Sequence, residues 1–283
     1  MKNRDPINIK SILITGCSSG IGRHCAEVLQ QRGWRVFATA RKEEDVVTLK
    51  REGFDDAMVL DLCQEQTMRT ALDVLLSKTE GRLDALFNNG AYGQPGAVED
   101  LTEQTLRGQF DSNVFGTHAL TRMVLPVMRC QGYGRIVQNS SVLGFVAMKY
   151  RGAYVASKYA LRGLTETLRL ELRGTGIEVI LIEPGPIESR FRDNARAAFM
   201  AHIDQDSSPF KIEYKAWAER FASEGGSGTF SQGPDAVAKR LIHALESRKP
   251  KVRYSVTFPT YLFWVLQRIL PRRWLESLLS RVD

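Results

Sequence analysis

The stretch SILITGCSSGIGRHCAEVLQQR, Ser11 to Arg32, decides the fold of this 283-residue chain. SILIT predicts a short buried strand, and the residues after Gly22 have helical character. The glycines between them, Gly16, Gly20 and Gly22, permit a tight turn, close approach to a pyrophosphate and close helix–strand packing. The helix N-terminus would offer free N–H groups and partial positive charge to phosphates. We therefore predict a dinucleotide-binding crossover; the alternative is a plain βα turn rich in small residues.

Further apolar segments predict the remaining strands of one sheet. Ile177–Glu183 is nearly continuously apolar, which is typical of a parallel strand buried on both faces. We predict an α/β fold with a doubly wound, mostly parallel Rossmann-type sheet over residues 1–258 and a helical tail over residues 259–283. The other predicted strands are Trp34–Ala40, Met58–Leu62, Leu83–Asn89, Gly134–Ser141 and Val252–Phe258.

A second informative stretch is NSSVLGFVAMKYRGAYVASK, Asn139 to Lys158. Tyr154 and Lys158 are four positions apart, so a helix places them on one face. A nearby ammonium should lower the pKa of a tyrosine hydroxyl from its reference value of about 10 and make it useful for proton transfer. Ser141, at the mouth of a strand, could bond the same substrate oxygen. The alternative is an exposed tyrosine beside a solvated lysine.

Together, TGCSSGIG and YVASK resemble the short-chain dehydrogenase/reductase family in its compact single-domain branch. The resemblance covers roughly Ser11–Ser189, and the whole chain, with KPKVRYSVT near its end, is similar to bacterial NADP-dependent aldehyde reductases and to the hydroxysteroid and retinol dehydrogenase-like branch. It implies hydride transfer between NADP(H) and the carbonyl of a small apolar aldehyde or ketone, or the reverse.

The resemblance also implies roles for single residues. Tyr154 would be the general acid or base, Ser141 would steady the substrate oxygen, and Lys158 would bond the nicotinamide ribose. Asn113, in the predicted long helix Glu103–Met128, would sit at a helix break and complete a water relay. The predicted cofactor-binding residues are Gly16, Ser18, Ser19, Gly20, Ile21, Gly22, Arg41, Asp61, Leu62, Asn88, Asn89, Tyr154, Lys158, Pro184, Gly185, Ile187 and Ser189.

Two positions qualify this assignment. Arg41 stands where an NAD site usually has an acid; it could pair with a 2′-phosphate, with Ser18 adding a hydroxyl, so we predict NADP over NAD. The alternative is that Arg41 is a solvated loop residue. Gly90-Ala91 reverses the family order A-G, so the geometry of that loop is open.

The segment from Arg190 to Gly233 predicts a long, irregular substrate loop that includes the glycine-rich run Gly225–Gly228. Its apolar side chains would either line a substrate pocket or anchor the loop to the body. They are Phe191, Phe199, Met200, Phe210, Trp217 and Phe221.

Composition limits the other possibilities. The four cysteines form no C-x-x-C, and Met1–Lys10 resembles no secretion signal, so we expect neither disulfides nor metal and a cytoplasmic protein. The net charge of +7 lies mostly beyond Ser247, where eight basic and two acidic residues occur. A nearly neutral body argues against nucleic-acid binding.

The basic, apolar tail leaves three alternatives: it caps the domain, forms a contact in a homodimer or homotetramer, or lies on an anionic membrane surface at the periphery.

Two other functions are alternatives to a carbonyl reductase. One is a non-catalytic NADP(H)-binding sensor or scaffold on the same fold. The other is a nucleotide-sugar epimerase, whose glycine spacing differs.

Overall fold

The computed structural model describes residues 10–216 and 230–281, in which seven strands form a parallel sheet. The strands are β1 Ser11–Ile14, β2 Arg35–Ala40, β3 Met58–Val59, β4 Ala85–Asn88, β5 Gly134–Asn139, β6 Ile177–Glu183 and β7 Arg253–Ser255. Their order is β3-β2-β1-β4-β5-β6-β7, and every neighbouring pair is parallel.

Helices connect the strands and cover both faces of the sheet. The α-helices are α1 Gly20–Gln31, α2 Glu43–Arg51, α3 Glu65–Lys78, α4 Glu103–Phe110, α5 Thr117–Gln131, α6 Gly152–Glu171, α7 Phe191–His202, α8 Asp235–Glu246, α9 Phe258–Ile269 and α10 Arg272–Leu279. Shorter turns are the 3₁₀ segments Val98–Asp100 and Val142–Gly144 and the π-helical segment Asp111–Gly116; residues 211–216 are also helical.

The central strand β1 shows why helices cover both faces of the sheet. Side chains alternate between the faces of a strand. Ile12 and Ile14 accordingly join the apolar core that contains Leu29 of α1 and Leu241 of α8. Leu13 faces the other way and joins the core that contains Leu72 of α3. The predicted α/β fold with helices on both faces is therefore confirmed.

The strand order reverses at β1. This strand pairs with β2 on one side and with β4 on the other, and Ile12 lies opposite both Val36 and Ala85. The connections leave the two sides in opposite directions, so a crevice opens at the carboxyl ends of β1 and β4. Ligands of open parallel sheets bind at such a point.

The predicted strand Ile177–Glu183 has the same bounds as β6, but the predicted irregular loop is wrong in part. Phe191–His202 is a regular helix. Phe191, Ala195 and Phe199 repeat every four residues, which gives this segment a helical stripe, and four alanines favour a helix. Trp217, Phe221 and the run Gly225–Gly228 lie outside the described residues.

The tail forms the two helices α9 and α10. Among the described residues, no helix has the length and apolar character needed to cross a bilayer.

Candidate active site

The loop after β1 passes very close to its neighbours. Gly16 and Gly20 have φ of +72° and +59°, a region that glycine adopts without strain. A Cβ on Gly16 would lie 2.8 Å from Gly90 Cα, and one on Gly22 only 2.2 Å from the carbonyl oxygen of Gly16. Larger residues would therefore push α1 and the loop after β4 away from this turn.

Four hydrogen bonds connect the loop after β1 with the loop after β4 and hold the two loops at a fixed separation. The side-chain amide of Asn89 donates to the carbonyl oxygens of Thr15 at 3.0 Å and Gly16 at 3.2 Å. The hydroxyl of Thr15 accepts from the backbone N–H groups of Asn89 and Gly90, at 3.0 and 2.8 Å. Gly90, the first residue of the reversed pair, is thus held directly against β1. Sequence reasoning missed Thr15, which looked like an ordinary strand residue.

Ser141, Tyr154 and Lys158 come together at the carboxyl end of β5. Tyr154 and Lys158 lie on one face of α6, with the lysine Nζ 5.5 Å from the centre of the tyrosine ring. Tyr154 shares a hydrogen bond with the side chain of Ser141. The Lys158 ammonium donates to the carbonyl oxygen of Asn139 at 2.8 Å. These three residues and Asn139 are all buried, so their polar groups act in a medium of low dielectric constant.

Burial controls the proton affinities of this group. It raises the pKa of Tyr154, against an opposing effect of the Ser141 hydrogen bond. It also lowers the pKa of Lys158 to about 7. The expectation that Lys158 lowers the tyrosine pKa is therefore wrong for this structure: the lysine is itself desolvated, carries only part of a charge near neutral pH and points to Asn139.

Asn113 lies in the π-helical segment between α4 and α5, as the expected helix break requires. Its amide donates to the carbonyl oxygen of Tyr92 at 2.9 Å and to Ser157 Oγ at 3.2 Å, and its oxygen accepts from Tyr92 N–H at 3.2 Å. Ser157 Oγ donates in turn to the carbonyl oxygen of Tyr154 at 2.8 Å. Asn113 therefore holds the backbone of Tyr154 in place through Ser157; its role in a water relay stays a prediction.

A chain of buried amides continues from this point to α7. Gln109 donates through Nε2 to the Tyr92 carbonyl oxygen at 2.9 Å and accepts from Gln94 N–H at 2.7 Å. The Gln94 side chain reaches His202 Nδ1 at 2.8 Å and the Ala198 carbonyl oxygen at 3.4 Å. We call Gln94 and Gln109 the glutamine chain. It links the helix over the site to the Asn113 region and was not found from the sequence.

The first residue of α7 supplies an apolar wall. The ring of Phe191 meets the ring of Tyr154 edge to face, with centres 5.4 Å apart. A Cβ on Gly93 would lie 2.8 Å from Phe191 Cζ. Phe199 instead packs with Tyr214 in a separate buried cluster, and Met200 is exposed. Phe191 thus fits the pocket alternative, whereas Phe199 fits the anchor alternative.

The loops after β1, β5 and β6 also meet. Val142 N–H donates to the Pro184 carbonyl oxygen at 2.7 Å. A Cβ on Gly20 would lie 2.8 Å from Ser189 Cβ, and one on Gly185 would lie 2.1 Å from Thr257 Oγ1. The predicted residues from both halves of the chain therefore border one crevice.

At the other end of the crevice, Arg41 is exposed and forms no ion pair with the described residues. It lies near the turn after β3, since its charge opposes the rise in the pKa of Cys63 that burial causes. In that turn the Asp61 carboxylate accepts from Cys63 N–H at 2.9 Å and from Gln64 Nε2 at 3.3 Å. The Arg41 guanidinium, which pairs with no carboxylate in residues 10–216 or 230–281, thus stands at the end of β2, where a ribose would lie.

Several groups fit a bound dinucleotide. Ser19 precedes α1 without a side-chain capping bond, so the first N–H groups of this helix face the glycine loop. Lys158 uses one of its donors in a described hydrogen bond, which leaves others for a ribose. Within the described chain, Asn88 Oδ1 and Ser140 Oγ are buried side-chain oxygens without a partner. The set suits phosphates at one end and sugar hydroxyls at the other.

Comparison with known proteins identifies relatives along nearly the whole chain. The family model described as short chain dehydrogenase matches residues 10–199. The oxidoreductase YbbO of Escherichia coli K12 is 41% identical over 271 residues, 96% of this chain and 94% of that protein. Human 17-beta-hydroxysteroid dehydrogenase type 1 is 34% identical over 87% of this chain and 77% of its own. A short chain dehydrogenase/reductase from Burkholderia phymatum, solved with NAD, superposes with a TM-score of 0.76 at 25% identity and 93% coverage of both chains.

Proposed function

Starting from the fact that this chain is an oxidoreductase of the short-chain dehydrogenase family, we propose that it reduces the carbonyl of an apolar aldehyde or ketone with NADPH. The observation that carries this proposal is the grouping of Ser141, Tyr154 and Lys158 at the carboxyl end of β5, beside the crevice at the carboxyl ends of β1 and β4. The same groups would catalyse alcohol oxidation when the tyrosine acts as a base.

The proton chemistry is compatible with reduction. A tyrosine hydroxyl is protonated at neutral pH at its ordinary pKa of about 10, and burial, which raises the pKa of Tyr154, keeps that proton available for a developing alkoxide. Ser141, which bonds the tyrosine, can hold the same substrate oxygen. Bound reduced nicotinamide would supply the hydride. Lys158 lies beside the tyrosine, where it would bond the ribose and place the donor face against the carbonyl.

An apolar substrate is supported by the wall next to the tyrosine. The Phe191 ring borders Tyr154, so the group attached to the carbonyl would meet an aromatic surface. The name of the human relative, a hydroxysteroid dehydrogenase, points to the same chemical class.

NADPH preference rests on the exposed guanidinium of Arg41 at the end of β2. A charge-assisted bond of this kind contributes about 1.5–3 kcal/mol, or roughly a tenfold to hundredfold change in affinity. We expect Arg41→Ala to raise the KM for NADPH by about tenfold or more and to leave the KM for NADH nearly unchanged. Arg51→Ala, an exposed arginine in α2, is the matched control. Equal KM values for NADPH in both variants would refute the preference.

The reaction itself is tested by following absorbance of the reduced cofactor with a panel of aldehydes and ketones of increasing apolar size. We expect NADPH oxidation that rises in kcat/KM with apolar size. NADPH binding measured by fluorescence, without turnover of any carbonyl or of the matching alcohols with NADP, would support the sensor or scaffold alternative instead.

A further inference from the structure

One face of α9 carries five apolar residues that the described chain covers only in part; among them, Phe258 packs against Phe230 with ring centres 5.6 Å apart. Phe258, Tyr261, Leu262, Val265 and Ile269 follow the spacing i, i+3, i+4, i+7, i+11 of a helical stripe. Their side chains are 57%, 47%, 39%, 45% and 66% exposed. We call these five residues the α9 stripe. A continuous apolar stripe of this length on a helix surface indicates a partner.

The stripe has basic and aromatic borders. Arg268 lies with its guanidinium 3.6 Å from the ring centre of Trp264, on the same helix. Arg240 of α8 reaches the Tyr261 hydroxyl at 3.4 Å. Tryptophan and arginine beside an apolar stripe are the side chains that favour the boundary between lipid headgroups and acyl chains.

The next helix extends this character. In α10, Trp274 is exposed and Arg273 stands beside it; Arg272 is paired with Glu276 at 2.8 Å. Residues 258–281 contain four arginines and one acidic residue. The surface around the stripe is therefore positive as well as apolar.

The fold holds the stripe in a fixed orientation. Thr257 and Thr260 are fully buried at the start of α9 and pack against Gly185. Leu275 anchors α10, and α9 also packs against the turn Val142–Gly144 that follows Ser141. The outward direction of the stripe is thus set by packing against the body and not by a loose end of the chain.

We propose that the α9 stripe docks this protein on the surface of an anionic phospholipid membrane, with α9 lying in the plane of the interface. Twelve residues of helix span about 18 Å, less than the roughly 30 Å of a bilayer core. The arginines match anionic headgroups while the stripe enters the apolar boundary. A second copy placed on the stripe by a two-fold axis would bring the same arginines together, which is unfavourable.

The test is sedimentation of the full chain with vesicles of phosphatidylcholine alone or with about one third phosphatidylglycerol. We expect binding to the anionic vesicles that weakens as salt rises from ~0.1 to ~0.5 M. Val265→Glu with Ile269→Glu should reduce the bound fraction at least about tenfold. Leu170→Glu, at a 67% exposed leucine of α6, is the matched control and should bind as the parent does.

Light scattering on the same variants shows whether the partner of the α9 stripe is a membrane surface or a second copy of this chain. Equal sedimentation of the parent with and without anionic lipid would overturn the proposal. So would loss of a dimer in the Val265→Glu, Ile269→Glu variant while the parent does not bind vesicles, because the stripe would then be a subunit contact. Vesicle binding and carbonyl reduction are measured independently, so failure of one leaves the other standing.

Discussion

At the crevice, the polar side chains of Asn113, Lys158 and Gln109 are at most 2% exposed, whereas on α9 the apolar side chains of Phe258 and Ile269 are more than half exposed. Both regions depart from the usual distribution of side chains. Burying a polar group without a partner is costly, so each crevice residue depends on specific hydrogen bonds. The residues of the stripe have few such partners in the described fold: Phe258 packs against Phe230, and the Tyr261 hydroxyl lies 3.4 Å from Arg240.

The two departures have different consequences for substitution. A change in the crevice leaves a buried partner unsatisfied and should affect turnover or stability. A change in the α9 stripe affects residues that are 39–66% exposed, so the fold should tolerate it better than a change in the crevice. The comparison therefore predicts that crevice variants lose chemistry or stability, while stripe variants lose only an interaction with another surface.

The largest expected effect is that of Tyr154→Phe. The hydroxyl is the proposed proton donor, and general acid catalysis contributes at least about a hundredfold in rate. We expect kcat for carbonyl reduction to fall by that factor or more, with NADPH affinity within a few-fold of the parent, measured by steady-state kinetics and fluorescence titration.

Tyr159→Phe is the matched control, since Tyr159 lies in the same helix but is exposed. Its kcat should stay close to that of the parent. Turnover of Tyr154→Phe within a few-fold of this control would show that the buried tyrosine has only a structural role. The crevice would then not differ from the α9 stripe in catalytic importance at this residue.

The second prediction concerns pH and the buried lysine. Lys158 has a folded pKa of about 7, below its ordinary value of 10.5, so between these values the unfolded chain binds more protons than the folded one. Stability attributable to Lys158 should therefore rise as pH increases from 7 to 9. The expected gain is about 2 kcal/mol, on the order of several degrees in Tm for a chain of this size.

Thermal unfolding of the protein without cofactor at pH 7, 8 and 9, compared with Lys158→Met, isolates this effect. The difference between parent and variant should shift in favour of the parent as pH rises, because other titrating groups are common to both. Parallel curves would mean that Lys158 keeps its ordinary pKa, and burial would then not control the proton affinity of the crevice.

Sequence reasoning reached those features that leave a local pattern. The bounds of β6 follow from a nearly continuous apolar run, and the glycine turn follows from three spaced glycines. It did not find the contact of Gln94 with His202, because these residues are 108 positions apart and neither has a periodic signal. It also misjudged the tyrosine pKa, since the spacing of Tyr154 and Lys158 shows proximity but not the burial of both.

The prediction with the smallest kinetic effect tests the glutamine chain. Gln109→Leu leaves the buried N–H of Gln94 without its acceptor and removes one of two donors to the Tyr92 carbonyl. We expect a loss of about 1–3 kcal/mol in the free energy of unfolding, measured by denaturant titration.

The same variant should show whether the glutamine chain positions α7 over the crevice or only stabilises the fold. Because Gln94 holds α7 through His202 and Ala198, loosening it should raise KM for an apolar carbonyl by a few-fold and lower kcat less. Gln30→Leu is the control, since it removes one exposed bond to the Gly53 carbonyl and should cost under about 0.5 kcal/mol. If Gln109→Leu lost stability but kept both kinetic constants, the buried amides would support the fold alone, and the position of Phe191 over Tyr154 would depend on the packing of α7 itself.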